Sequence, residues 1–231
     1  MREITLIIDD LRGKIVVEDS QDLSVAAIEQ LGENFGLPQN IACARPLEII
    51  ETYIGFSETP ATDVNVRIAG YYHNSLTEGP GRRSSVLFQY CPLKCKGCYV
   101  PELHNKNSGA LISVKKLAGL LLAPNHTRDG VTILGGEPFA QADGLLDLVQ
   151  ELRNNGCPHI VCYCGYTLEA LREKAAKQTA VSRVLDEIDI LIDGAYIESL
   201  ASSAGLWTGS GNQRVIDMNR TRANNKIVLY S

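Results

Sequence analysis

Between residues 64 and 194 the chain alternates β-type apolar runs with helix-type segments, and this alternation constrains its fold more than any other feature. Residues 85–88, 131–138, 159–167 and 188–194 read as strands; residues 114–123, 141–155, 168–178 and 181–187 read as helices. In the segment 141–155, Leu145, Leu148, Val149 and Leu152 recur at helical spacing, and Gly156 marks a stop. Ser113 is a candidate cap for the helix that follows it. Strands separated by helices of this length lie parallel, joined by crossovers. The core is well short of the ~250 residues of a closed eight-stranded barrel. The expected fold is α/β: a partial, open parallel β/α barrel. Residues 213–217 and 226–230 read as two further strands at its end.

The front of the chain has a different pattern. The runs 3–8 and 14–18 suggest a hairpin turning near Gly13. Asp22 and Ser24 are candidate caps for a helix over roughly 25–34, and an apolar segment runs through Leu47, Ile49, Ile50 and Ile54. Residues 57–63 read as a linker. The expected organisation is a small α+β module over 1–63 and a core domain over 64–231. Charge divides the same way: 12 of the 27 acidic residues, against 4 of the 22 basic ones, lie in the first 65 positions. Neither part is basic enough to argue for nucleic acid. No apolar run approaches the ~20 residues of a membrane span, and MREITLIIDD does not read as a signal peptide. The expectation is a cytoplasmic protein whose seven cysteines are thiols or metal ligands rather than disulfides.

Chemistry concentrates in residues 89–100, where Cys91, Cys95 and Cys98 have the spacing CxxxCxxC. Three thiolates converging on one point can hold three irons of a cubane cluster and leave the fourth open to a substrate or cofactor. The same spacing admits a zinc site with His104 as fourth ligand. Ligand sites in parallel α/β folds lie at the C-terminal ends of strands. The cysteine loop, Gly135-Gly136-Glu137, Cys164-Gly165 and Asp193-Gly194 each follow one of the four strands, so all four fall on one rim. Gly135 and Gly136 lack Cβ atoms and let a ligand approach the backbone; the Glu137 carboxylate suits an ammonium group. Cys43, Cys157 and Cys162 read as structural thiols, as does Cys164, although it sits at the rim. Lys94 and Lys96 either dock an acidic electron donor such as flavodoxin or belong to a solvated loop. Arg82 and Arg83 either grip a carboxylate or partner backbone or are surface charge. Asp193 either binds a ligand or caps the next turn.

On EGPGRRSSVLF (78–88), CPLKCKGCY (91–99), LGGEP (134–138), CGYTLEAL (164–171), ILIDGAYIESL (190–200) and LWTGSGNQR (206–214), the core resembles the radical S-adenosylmethionine superfamily. More narrowly, it resembles the branch that activates anaerobic (class III) ribonucleotide reductase. Gly97 before the third cysteine and Tyr99 after it are features of that branch. Tyr90 stands where the branch has glycine, and Glu137 where it has aspartate. The resemblance implies that Cys91, Cys95 and Cys98 ligate a [4Fe–4S] cluster whose open iron takes S-adenosylmethionine. It implies ligand contacts at Gly97, Cys98, Tyr99 and Gly136, adjoined by Gly135 and Glu137, and no catalytic side chain beyond the cluster. The implied reaction is reductive cleavage of S-adenosylmethionine to a 5′-deoxyadenosyl radical, which takes a hydrogen from a glycine Cα of a partner protein. The implied partners are a glycyl-radical subunit, as of a reductase, and a flavodoxin- or ferredoxin-type electron donor. A radical enzyme acting on a small molecule or peptide, with 1–63 as its recognition module, is the second reading; a non-enzymatic iron–sulfur or zinc scaffold is the third.

Overall fold

A computed structural model describes residues 64–231 and, before them, the backbone of two strands. The chain falls into two compact units, Met1–Ile54 and Gly55–Ser231. In the first, β1 (Thr5–Asp9) and β2 (Lys14–Glu18) pair antiparallel, the expected hairpin. The helix expected over 25–34, the apolar segment through Ile54, the linker and Cys43 lie outside the described residues.

The second unit is built on β3 (Asn65–Ser75), β4 (Arg83–Phe88), β5 (Ala110–Ser113), α1 (Val114–Leu121), β6 (Gly130–Gly135), α2 (Ala142–Asn154), β7 (Ile160–Cys164), α3 (Leu168–Ala175), α4 (Thr179–Glu187), β8 (Ile190–Asp193), β9 (Arg214–Asp217) and α5 (Met218–Asn224). One sheet runs in the order β5-β3-β4-β6-β7-β8-β9. The central four, β4, β6, β7 and β8, are parallel neighbours, and β5 and β9 remain as separate edges, so the barrel is partial and open. The alternation of strands and helices predicts these four. It does not predict the antiparallel flank: β3 pairs with both β4 and β5, and β9 with β8.

Register explains the burial. Val86, Ile133, Cys162 and Leu191 form one row across the parallel strands. Ser85, Thr132, Val161 and Ile190 form the neighbouring row, facing the other way. The helices are amphipathic: α2 buries Leu145, Leu148, Val149 and Leu152 and packs against α1 and α4. Each such leucine contributes about 1.5–3 kcal/mol through removal from water. Ser113 caps α1, its Oγ accepting from Lys116 N at 3.2 Å, as the sequence predicts.

The C-terminal segment departs from expectation. Asp217 accepts from Arg220 N at 2.8 Å and starts α5, so the chain turns away directly after β9. Residues 226–230 return alongside β9, but the sheet gains only an isolated bridge, Ile216 to Leu229, with Leu229 exposed.

Candidate functional site

The chain leaves β4 at Phe88 and enters the cysteine loop. Gln89, nearly fully buried, donates from Nε2 to Glu102 O (3.1 Å) and Asn105 O (2.8 Å), tying the loop's start to its return. Gln141 donates to Gln89 O at 3.0 Å. Neither glutamine is marked by a sequence motif. Tyr90 has φ +77°, a left-handed conformation, which is the physical reason glycine suits the position before the first cysteine. Lys94 (φ +47°) and Gly97 (φ +69°) bend the loop so that Cys98 N reaches Cys95 O at 3.2 Å. A Cβ on Gly97 would stand 2.5 Å from a carboxylate oxygen of the exposed Glu198 side chain, which can swing away, so the positive φ is the stronger reason for glycine here.

The Gly135-Gly136 pair also bears on the backbone of the cysteine loop. Gly136 N donates to Phe88 O at 2.8 Å and Glu137 N to Tyr90 O at 2.9 Å. A Cβ at Gly135 would lie 2.6 Å from Phe88 N, and one at Gly136 2.3 Å from Tyr90 O. The glycines therefore let the end of β6 lie against the start of the cysteine loop. Glu137 is fully buried, and its carboxylate accepts from Phe139 N (3.0 Å) and Gly165 N (2.8 Å). Burial pushes its carboxyl upward, and these two N–H groups oppose that shift. Through these bonds Glu137 clamps the end of β6 to the end of β7.

At the fourth strand, Asp193 is also buried. Its Oδ2 accepts from Leu168 N at 2.7 Å, capping α3, and its Oδ1 accepts from Arg214 Nε at 2.9 Å. Arg214 also forks onto Glu169 at 2.7 and 3.0 Å. Asn212 donates to Ala195 O at 2.7 Å, and Gln213 to Gly194 O at 2.8 Å while accepting from Gly209 N at 2.7 Å. Asp193 is a cap, and Asn212, Gln213 and Arg214 stitch the long loop after β8 to the rim.

These four strand ends surround an open cleft of about 620 Å³, counting space open to solvent. Cys91, Cys95, Cys98, Gly135, Gly136, Cys164, Gly165 and Gly194 line it, with Leu93, Val100, Leu103, His104, Tyr163, Tyr196 and Gln213. Gly97, Tyr99 and Glu137 stand beside the lining without forming it. Tyr99 is half exposed, its ring 4.9 Å from that of Tyr196. Among the described residues, no three of His, Cys, Asp and Glu are gathered to hold a single ion. A cubane attaches each thiolate to a different iron, so three separated thiols bordering one cleft are the donor set it requires. Burial raises the Cys91 thiol above its ordinary range. His104, read from sequence as a zinc ligand or a loop residue, borders the same cleft, and its Nε2 is buried without a hydrogen-bond partner among the described residues.

Other candidates lie elsewhere. Arg83 is 1 % exposed at the start of β4, the opposite end of the strand from the cysteine loop. Its guanidinium donates to Thr132 Oγ1 (2.9 Å), Val131 O (2.6 Å) and Pro80 O (3.2 Å), so it grips no partner and is not surface charge. Arg82 donates from its backbone to Asp129 at 2.7 Å and reaches Asn74 at the surface. Cys157 and Cys162 are buried outside the cleft lining. Lys96 is solvated and 3.7 Å from Glu198.

The sequence family described as 4Fe-4S single cluster domain matches residues 77–216. The anaerobic ribonucleoside-triphosphate reductase-activating protein of Salmonella typhimurium is 31% identical over 157 residues, covering 65% of this chain and 97% of the relative. The protein of the same name from Escherichia coli K12 is 31% identical over 63% of this chain and 94% of its own length. The pyruvate formate-lyase-activating enzyme of Clostridium pasteurianum is 33% identical over 43% of this chain and 44% of the relative. With a cysteine cleft at the ends of four parallel strands and this similarity along the core, the chain belongs to the 4Fe-4S single cluster domain family, among the radical S-adenosylmethionine activating enzymes.

Proposed function

We propose that Cys91, Cys95 and Cys98 hold three irons of the [4Fe–4S] cluster and that S-adenosylmethionine lies in the cleft against Gly135, Gly136 and Cys98, with Gly97 and Tyr99 beside it. One observation carries the reading: three thiols and the glycine pair border a single cleft at the C-terminal ends of four adjacent parallel strands. When bound, the cluster and S-adenosylmethionine supply one-electron cleavage of a carbon–sulfur bond and, from it, hydrogen abstraction. The chain's own residues position and shield. Leu93, Val100 and Leu103 give the cleft apolar walls that limit water around a reactive species. Glu137 and Gln89 hold the loop and strand ends in register, as supporting residues must for a preorganised site.

The partner is a glycyl-radical enzyme, and we take it to be an anaerobic ribonucleotide reductase subunit. Exposed Tyr99, Ile197, Leu200 and Leu206 lie on the cysteine loop and the loop after β8, and suit a protein surface better than solvent. The electron donor is of flavodoxin or ferredoxin type, met by Lys94 and Lys96, and the protein works in the cytoplasm. Among the described residues no helix is long and apolar enough to cross a membrane. The test is anaerobic mixing with the reductase subunit, reductant and S-adenosylmethionine. The expected result is a protein-based EPR doublet on the reductase. A doublet on a formate-lyase-type subunit alone would reassign the partner. Efficient cleavage with no protein radical would favour a small-molecule or peptide substrate.

A further inference from the structure

His104 ends a single 3₁₀ turn, Pro101–His104, anchored by buried Leu103. The backbone on both sides of it is pinned, because Gln89 Nε2 donates to Glu102 O and to Asn105 O. Gln89 also directly precedes the Tyr90-Cys91 pair, so one buried amide positions His104 relative to the first cysteine. His104 borders the cleft with Cys91, Cys95 and Cys98. Its Nε2 is buried and meets no acceptor or donor among the described residues. Tyr163 and Gln213, which border the same cleft, are satisfied by Trp207 O (2.8 Å) and Gly194 O (2.8 Å). A buried polar atom without a partner is destabilising, and native folds rarely keep one unless something else completes it. An aromatic hydrocarbon would fill the same turn without that penalty. Ser85 Oγ and Arg128 Nε share this state among the described residues, but of the three residues His104 is the one that borders the cysteine cleft, where a bound group can complete it.

We infer that His104 donates a hydrogen bond from Nε2 to a sulfur of the iron–sulfur cluster and so tunes its reduction potential. The inference rests on the reading that the three cysteines hold that cluster. Cluster sulfides and cysteine thiolates are electron-rich and offer acceptors only, so the nitrogen facing them carries the proton. Hydrogen bonds to the sulfurs are among the determinants of a cluster's potential. A donor favours the more negative, reduced state and makes reduction easier. His104 is thus a tuning residue on the loop that carries the thiols, with no part in hydrogen transfer.

The experiment uses the full chain, reconstituted anaerobically without S-adenosylmethionine, as wild type, His104→Phe and His104→Gln. An EPR-monitored redox titration gives the midpoint of each, and ¹⁵N-histidine labelling of the wild type reports any ring nitrogen coupled to the reduced cluster. The expected result is a weak nitrogen coupling in the wild type that is lost in His104→Phe. At a fixed poise, His104→Phe should show about a tenfold lower ratio of reduced to oxidised cluster, equivalent to about 59 mV for one electron. His104→Gln, which keeps a donor, should recover part of it. Should His104→Phe fail to fold, the wild-type nitrogen coupling and the glutamine variant still decide. A wild-type four-iron cluster with no nitrogen coupling, or a phenylalanine variant with an unchanged midpoint, overturns the inference alone. So does a strong coupling that marks direct nitrogen ligation. A wild-type chain that assembles no four-iron cluster overturns the reading of the cleft and this inference with it.

Discussion

The two ends of the same parallel strands are built on opposite terms. At the N-terminal end, Arg83 is sealed under the sheet, and its Nε and both Nη atoms have partners. At the C-terminal end, about 17–20 Å along a six-residue strand, thiols border open space, His104 Nε2 has no partner among the described residues, and Leu206 and Tyr99 are exposed. Burial of the Arg83 side chain at the first end is matched by hydrogen bonds and yields stability. Burial at the second is incomplete, in the way a site for a bound group must be. The lesson is that a charged motif and a thiol motif of equal prominence in the sequence can do unrelated work. Arg83 holds the fold, and the cysteines leave it unfinished.

Substitutions at the two ends should separate these roles. The largest effect is expected at the open end: Cys95→Ala should abolish reductive cleavage of S-adenosylmethionine while circular dichroism and melting temperature stay near wild type. Cys157→Ala should leave cleavage within a few-fold, and equal loss from both variants would end the distinction between cleft and core thiols. Next, Arg83→Ala at the sealed end should cost about 3 kcal/mol, through stranded carbonyls and a vacated volume. Denaturant unfolding measures this, and iron bound per folded chain should not change. A lost cluster without lost stability would contradict the contrast.

Smaller effects follow at the rim. Tyr90→Gly relieves a left-handed backbone at a non-glycine residue and should stabilise by about 1 kcal/mol. A loss of stability would mean that the Tyr90 ring packs well enough to outweigh the strain. The smallest effect concerns Glu169, whose carboxyl the Arg214 guanidinium holds down to about 2. Its contribution is complete above the ordinary carboxylate range near ~4.3 and is lost as pH falls through about 2. The pair is partly solvated, so the loss should be under about 1 kcal/mol, and Glu169→Gln should remove that increment from the acid-unfolding curve.

Much of this was legible in the sequence, for physical reasons. Leu145, Leu148, Val149 and Leu152 announce a helix because burial follows the helical period. The four parallel strands follow from the alternation, and with them the rim that gathers the cysteines, Gly135 and Gly136. What was not legible depends on partners distant in the chain. The roles of Glu137, Asp193 and Arg214 are set by Gly165, Leu168 and Glu169, which no spacing rule connects to them. The Gly135-Gly136 pair signals close approach, but only register reveals that the approaching group is the backbone of Phe88 and Tyr90. β3 escapes the alternation rule because its pairing is antiparallel to both neighbours. Gln89 carries no motif at all, and the cysteine spacing marks His104 only as a candidate fourth zinc ligand.

The central claim is that the three-thiol cleft holds a cluster that cleaves S-adenosylmethionine. It is tested most directly by anaerobic reconstitution of the full chain, with iron counted and dithionite and S-adenosylmethionine then added. The expected outcome is a brown protein with about four irons per chain that releases 5′-deoxyadenosine. A colourless protein that keeps one zinc ion and releases none would contradict it.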